Sequence, residues 1–244
     1  SVAYGFMMSK RPICLITGVG PEYGTGAETA KYFSEEGYFV AMIARSKSNL
    51  LSLEKKYPFT KAFPCDVSDI GAFLKTIKQI QKEVGHPEVV IHNAPMASRG
   101  NILSLDPSDL ERNFRVNVTA LLHLAQQTLP KMLEWGRGAI MITGNTAATR
   151  GKSGWGFFAS TKAGQRILAE SIAREFGPMG IHVSYFVIDA AIDNPRTRAS
   201  LYPDKPDEFF ANPRAIAREI FHTVKQDKSA WSFNVELRPF GEVW

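Results

Sequence analysis

The residues best able to do chemistry begin with a glycine-rich stretch. Thr17-Gly18-Val19-Gly20-Pro21-Glu22-Tyr23-Gly24-Thr25-Gly26 joins a short apolar run to a helical pattern over 27–36. Glycine permits positive φ and close backbone approach, and a following helix N-terminus offers free amide protons to an anion. This is the composition of a phosphate-binding turn, with Gly18, Gly20, Tyr23, Gly24 and Thr25 as its candidate contacts. The spacing departs from G-x-G-x-x-G: counted from Gly18 the third glycine is Tyr23, and counted from Gly24 it is Thr29. A ligand-free turn between strand and helix is the plainer alternative.

A second group follows the next apolar run, at Ala44-Arg45-Ser46-Lys47. Dinucleotide-binding folds commonly place an acid here for the ribose hydroxyls of NAD, whereas this chain has a cation. Arg45, through a charge-assisted pair, and Ser46, through its hydroxyl, suit a 2′-phosphate, which favours NADP(H) over NAD(H). A solvated basic turn is the alternative. Cys65-Asp66-Val67 closes the third apolar run. There Asp66 either accepts from an adenine amine or caps a helix starting near Ser68.

Such groups need a scaffold that brings strand ends together. Short apolar runs at 12–17, 38–45, 60–67, 88–94, 138–144, 182–189 and 229–237 alternate with helical patterns, the longest at 108–135 and 155–176. Most runs are apolar at consecutive positions, as strands buried on both faces must be. Asn212 and Pro213 form a cap and first turn for a helix over 215–224, and 201–212, with Pro203 and Pro206, reads as an irregular lid or loop. The predicted fold is a doubly wound α/β architecture, with about seven mainly parallel strands and helices on both faces. Ligands are then expected beyond the carboxyl ends of the strands.

Composition narrows the function classes. The chain has 244 residues, 44% hydrophobic and 22% charged, which excludes disorder and a disulfide scaffold. Residues 10–244 are expected to form one domain, and 1–9 a flexible or expression-derived tail. The two cysteines, Cys14 and Cys65, lie in apolar runs and fit a reducing, cytoplasmic setting. The net charge of +5 is scattered, without a run of five like charges, so no nucleic-acid partner is expected. No apolar stretch reaches the length of a membrane span. None of the five histidines pairs with cysteine or acid at metal-ligand spacing, so no metal is predicted.

Taken in order, Thr17-Gly18 with Gly24 and Gly26, Cys65-Asp66-Val67, His92-Asn93-Ala94, Asn117-Val118 and Ala159-Ser160-Thr161-Lys162-Ala163-Gly164 resemble the short-chain dehydrogenase/reductase superfamily. The resemblance spans residues 11–240. It implies a Rossmann fold, a carbonyl or alcohol substrate, and a homodimer or homotetramer packed through the two long helices. It also implies that Val67, Asn93, Ala94, Asp189 and Ile192 line the cofactor cleft, with Lys162 on the nicotinamide ribose.

Carried over residue by residue, Asn117 matches the asparagine that supports a relay water, and Lys162 the lysine that lowers the catalytic tyrosine's pKa. The tyrosine position, four residues before Lys162, is Phe158. Phenylalanine keeps the ring but has no hydroxyl to give or take a proton. The serine position falls around Gly144-Asn145-Thr146, where no serine occurs. Replacement proton or oxyanion donors are Lys162 itself, Asn145, Thr146 and Asp189. Asp189-Ala190 stands where the superfamily commonly has Pro-Gly, and the glycine turn is about two residues longer than usual. These departures suggest a divergent branch with Phe in place of Tyr.

Trp155, Phe157, Tyr185 and Phe186 either line an apolar substrate pocket or belong to the core or an interface. His92 reads as a hydrogen-bonded structural residue or a titrating group. Arg196 and Arg198 either recognise an anion or face solvent. The leading expectation is an NADP(H)-dependent oxidoreductase with atypical acid/base residues, acting on a carbonyl, alcohol or activated alkene. The alternatives are a catalytically silent NADP(H)-binding sensor or scaffold, and a cofactor-free lyase or isomerase using Lys162 as base.

Overall fold

A computed structural model describes residues 11–244; the tail expected at 1–9 lies outside the described residues. Seven strands form one sheet: β1 (Ile13–Thr17), β2 (Phe39–Ala44), β3 (Thr60–Pro64), β4 (Val89–His92), β5 (Gly138–Gly144), β6 (Ile181–Ile188) and β9 (Asn234–Leu237). All pairings are parallel, in the order β3-β2-β1-β4-β5-β6-β9. The chain steps outward from β1 to β3 and then returns to place β4 on the other side of β1. That reversal opens a crevice between the carboxyl ends of β1 and β4, where open α/β sheets hold ligands.

Helices cover both faces: α1 (Thr25–Glu35), α2 (Lys47–Lys56), α3 (Ile70–Glu83), α4 (Pro107–Phe114), α5 (Ala120–Trp135), α6 (Gly156–Phe176) and α7 (Pro213–Val224). Strand alternation sorts the core into two layers. Leu15, Ile43, Val90, Ile140 and Tyr185 pack with Phe73, Ile77, Leu121, Leu124 and Ile172 on one face. Ile16, Met42, Ile91, Met141 and Phe186 pack with Phe33, Leu50, Leu53, Ile216 and Ile220 on the other. Among the described residues, no helix is long and apolar enough to cross a membrane.

Four expectations need correction. The helix predicted at 108–135 is interrupted by a π-helical turn at Arg115–Thr119, which carries Asn117. The helix after β3 starts at Ile70, where Asp69 accepts from the Ala72 amide; Asp66 instead accepts from Ser68 two residues on and caps nothing. The run at 229–237 is a strand only over β9, because Asp227 draws Ser229 into a 3-10 turn. The segment at 201–212 is irregular but anchored: Phe210–Ala211 (β8) pairs with Ala191–Ile192 (β7) in a second, two-stranded sheet.

Candidate active site

An open cleft of about 390 Å³ lies at the carboxyl ends of β1, β4, β5 and β6. The glycine turn forms one wall. Gly18 has φ +72°, and a Cβ there would overlap the Ala94 backbone, so only glycine lets the turn lie against the β4 end. A Cβ at Gly20, in contrast, would meet nothing within 4 Å. Gly24 is the N-cap of α1 and no side chain caps that helix, so its first amides are left for a ligand or water. An uncapped helix N-terminus beside a glycine turn with open space fits the phosphates of a dinucleotide.

Thr17 ties this wall to β4. Its Oγ1 accepts from the amides of Asn93 and Ala94, at 3.0 and 3.2 Å, and donates to His92 Nδ1 at 2.9 Å. His92 Nε2 donates to the Val116 carbonyl at 2.9 Å. Burial pushes the His92 imidazole down to about 4, so it is a neutral structural residue. Asn93 Nδ2 donates to the Gly18 carbonyl at 3.0 Å, and Asn93 Oδ1 accepts from Thr143 Oγ1 at 2.6 Å. Strands β1, β4 and β5 are thus locked at the cleft.

The opposite wall comes from α6 and the β5 end. Phe158 and Lys162 both line the cleft, four residues apart on one helix face. The Lys162 ammonium is buried and donates to the Thr143 carbonyl at 3.1 Å and to Gln165 Oε1 at 2.6 Å. Burial lowers its pKa from 10.5 to about 7. Two of its three donors are thereby used, and the amine is poised to gain or lose a proton near neutrality. Gly144 follows, and a Cβ there would overlap the Tyr185 hydroxyl.

Of the residues expected at the site, Gly18, Gly20, Gly24, Thr25, Asn93, Asn145, Phe158, Lys162 and Ile192 line one cleft. Asn145 lines it with its Oδ1 held by the Ala147 amide, while the Thr146 hydroxyl accepts from Arg150 at 3.2 Å. Tyr23 is exposed and takes a left-handed φ of 71°. Arg45 is exposed, and Ser46 is the N-cap of α2, its Oγ accepting from Asn49 at 3.3 Å. Against the opposing effect of burial, the Ser68 hydrogen bonds and, to a smaller extent, the Arg45 charge hold Asp66 below the usual carboxylate range. Val67 is buried and Ala94 half-buried.

Asp189 is paired with Arg238 at 3.4 Å. Arg198, offered as an anion binder, is held by Asp193 and Asp207, each at 2.6 Å, and Arg196 is exposed. Tyr185 and Phe186 are fully buried core residues on opposite sheet faces. Asn117 is also fully buried: its side chain donates to the Met96 carbonyl and Thr161 Oγ1, both at 3.0 Å, and accepts from the Met96 amide.

Sequence reasoning missed Gln165. It is fully buried, and three residues after Lys162 it shares that lysine's helix face. A polar residue in that buried stripe was the available signal.

A profile described as short chain dehydrogenase matches residues 12–196. An uncharacterized short-chain type dehydrogenase/reductase, y4mP, from Sinorhizobium fredii is 28% identical over 185 residues, 73% of each chain. A metagenomic short-chain oxidoreductase solved with NADP superposes with a TM-score of 0.80 at 21% identity, over 95% of this chain and 98% of that one. A 3-ketoacyl-(acyl-carrier-protein) reductase from Brucella melitensis, solved with NADH, gives a TM-score of 0.82 at 20% identity, over 93% and 96%.

Proposed function

This chain belongs to the short chain dehydrogenase family, and from that premise we propose that it is an NADP(H)-linked oxidoreductase in which Lys162, not an aromatic hydroxyl, handles the proton. The observation that carries this reading is a buried lysine, tuned to about 7, in the cleft wall one turn from a phenylalanine. The chemistry that NADPH would supply in this cleft is a hydride for the acceptor carbon. Gly18, Gly20 and the α1 N-terminus would hold its phosphates, and Arg45 would take the 2′-phosphate. Solved neighbours carry either NADP or NADH, so the cation at 45 is what favours NADP(H) here.

Lys162 gives its proton to the carbonyl oxygen and becomes the neutral amine. Asn145 hydrogen-bonds that oxygen as its charge grows, and Phe158 presents an apolar ring to the reacting groups. The Phe at 158 marks a divergent branch, and an activated alkene is the acceptor that would least miss the hydroxyl. Residues 10–244 act as one domain on this reading. Exposed Phe114, Leu122 and Ile167 lie on or beside the long helices, where we place a homo-oligomer contact.

The test is the pH profile of NADPH-dependent reduction across a carbonyl and alkene panel. Activity should fall tenfold per unit above about pH 7 and vanish in Lys162→Met; a profile flat from pH 6 to 9 would contradict the assignment. Phe158 also favours a second reading, a silent NADP(H) sensor, which predicts binding without turnover of any acceptor.

A further inference from the structure

Beneath the cleft, Lys162, Gln165, Tyr185 and Asn117 form a closed polar cluster inside an otherwise apolar layer. Gln165 is its centre. Its Oε1 accepts from Lys162 Nζ at 2.6 Å and from the Tyr185 hydroxyl at 3.0 Å, while Nε2 donates to the Asn117 main-chain carbonyl at 2.7 Å. Every polar atom of the amide is engaged, and Gln165, Tyr185 and Asn117 are all fully buried. Such a network specifies one arrangement, because any lost partner leaves a buried group unsatisfied.

We infer that Gln165 is a positioning residue: its amide bridges Lys162 to the Asn117 carbonyl, fixes the ammonium against the cleft, and sets how readily that ammonium releases its proton. The inference rests on the assignment of proton transfer to Lys162. A water in that place can turn and pass a proton along; an amide of fixed polarity, accepting at one end and donating at the other, does not. The proton of Lys162 therefore exchanges through the cleft. Tyr185 donates to the same oxygen, whose two lone pairs serve both donors, and so helps to hold the amide in this orientation.

The surroundings isolate the effect. The titratable groups facing Lys162 are His92 on β4 and Tyr185 on β6, and Arg166 on α6 acts on Tyr185. His92 is neutral above about pH 4, and burial pushes the Tyr185 phenol far up, so neither changes charge near neutrality. Among the described residues, no carboxylate pairs with Lys162. An oxygen acceptor stabilises the charged ammonium, so changing the acceptor must move the titration in a predictable direction.

The experiment is a 13C NMR titration of the Lys162 Cε signal in the full chain without cofactor, assigned by its loss in Lys162→Met. Wild type is compared with Gln165→Leu, Gln165→Met and Gln165→Glu, each checked for folding by circular dichroism. The midpoint should fall by about half a pH unit or more in Gln165→Leu and Gln165→Met, and rise by about one unit or more in Gln165→Glu. The methionine variant carries the result if the leucine variant does not fold. Midpoints that agree across the variants, or that all move one way, overturn the inference. The titration needs neither NADPH nor substrate, so absent NADPH binding with midpoints that still split would defeat the functional reading and leave this one standing.

Discussion

Lys162 Nζ donates to the main-chain carbonyl of Thr143 at 3.1 Å, joining α6 to the end of β5 at the cleft wall. The bond fixes the one strongly perturbed cation of the site relative to the strand ends. It also couples chemistry to fold, because the same lysine that is tuned by burial also anchors a helix.

Phe158 lies where the superfamily resemblance places a tyrosine, so Phe158→Tyr tests whether the proton chemistry has moved to Lys162. With Lys162 as donor, NADPH-dependent reduction should change by less than about tenfold, since the added hydroxyl duplicates an existing function. Steady-state kinetics on the best acceptor decide it. Activity that arises from near zero only in the variant would favour the silent reading.

Stability should carry the imprint of Lys162. Its pKa is about 7 folded against 10.5 unfolded, so between those values the unfolded chain binds the extra proton and stability rises with pH. His92, at about 4 against 6.5, gives the same sign between pH 4 and 6.5. Lys162→Met should flatten the upper window alone, by an amount on the order of a few kcal/mol. Urea denaturation at pH 6.5, 8 and 9.5 reads this, and an unchanged slope with pH would refute it.

Thr17 offers a sharper structural test. Thr17→Val keeps the shape but strands the Asn93 and Ala94 amides and His92 Nδ1. Unfolding free energy should fall by about 2–4 kcal/mol, the scale of leaving buried partners unsatisfied. A loss below about 1 kcal/mol would mean that the hub contributes little.

Much of this was legible in the primary structure. Buried strands announced themselves as consecutive apolar runs, and the four-residue step from Phe158 to Lys162 puts both on one helix face. What stayed hidden depends on distant partners. Tyr185 meets Gln165 across 20 residues of chain, and β7 finds β8 only when the segment between them folds back. The π turn at Arg115–Thr119 leaves no specific mark: Val116, Asn117, Val118 and Thr119 are weak helix formers, which does not distinguish a π turn from a poor α-helical turn. The reading of Asp66 as a cap missed Asp69, three residues on, whose carboxylate accepts from the Ala72 amide instead.

On the proposed reading, Arg45 is the residue that sets the cofactor preference. Exposed beside the α2 N-terminus, it should account for about tenfold or more of the NADPH-to-NADH affinity ratio through a charge-assisted contact. Arg45→Asp should erase or invert that ratio while leaving NADH binding intact. An unaltered ratio would place the 2′-phosphate elsewhere.

The most direct test of the account is a calorimetric titration of the wild-type protein with NADPH and, in parallel, NADH. Saturable one-site binding with NADPH clearly preferred is the predicted result. Binding of neither would contradict the dinucleotide cleft, and with it the oxidoreductase assignment for this chain.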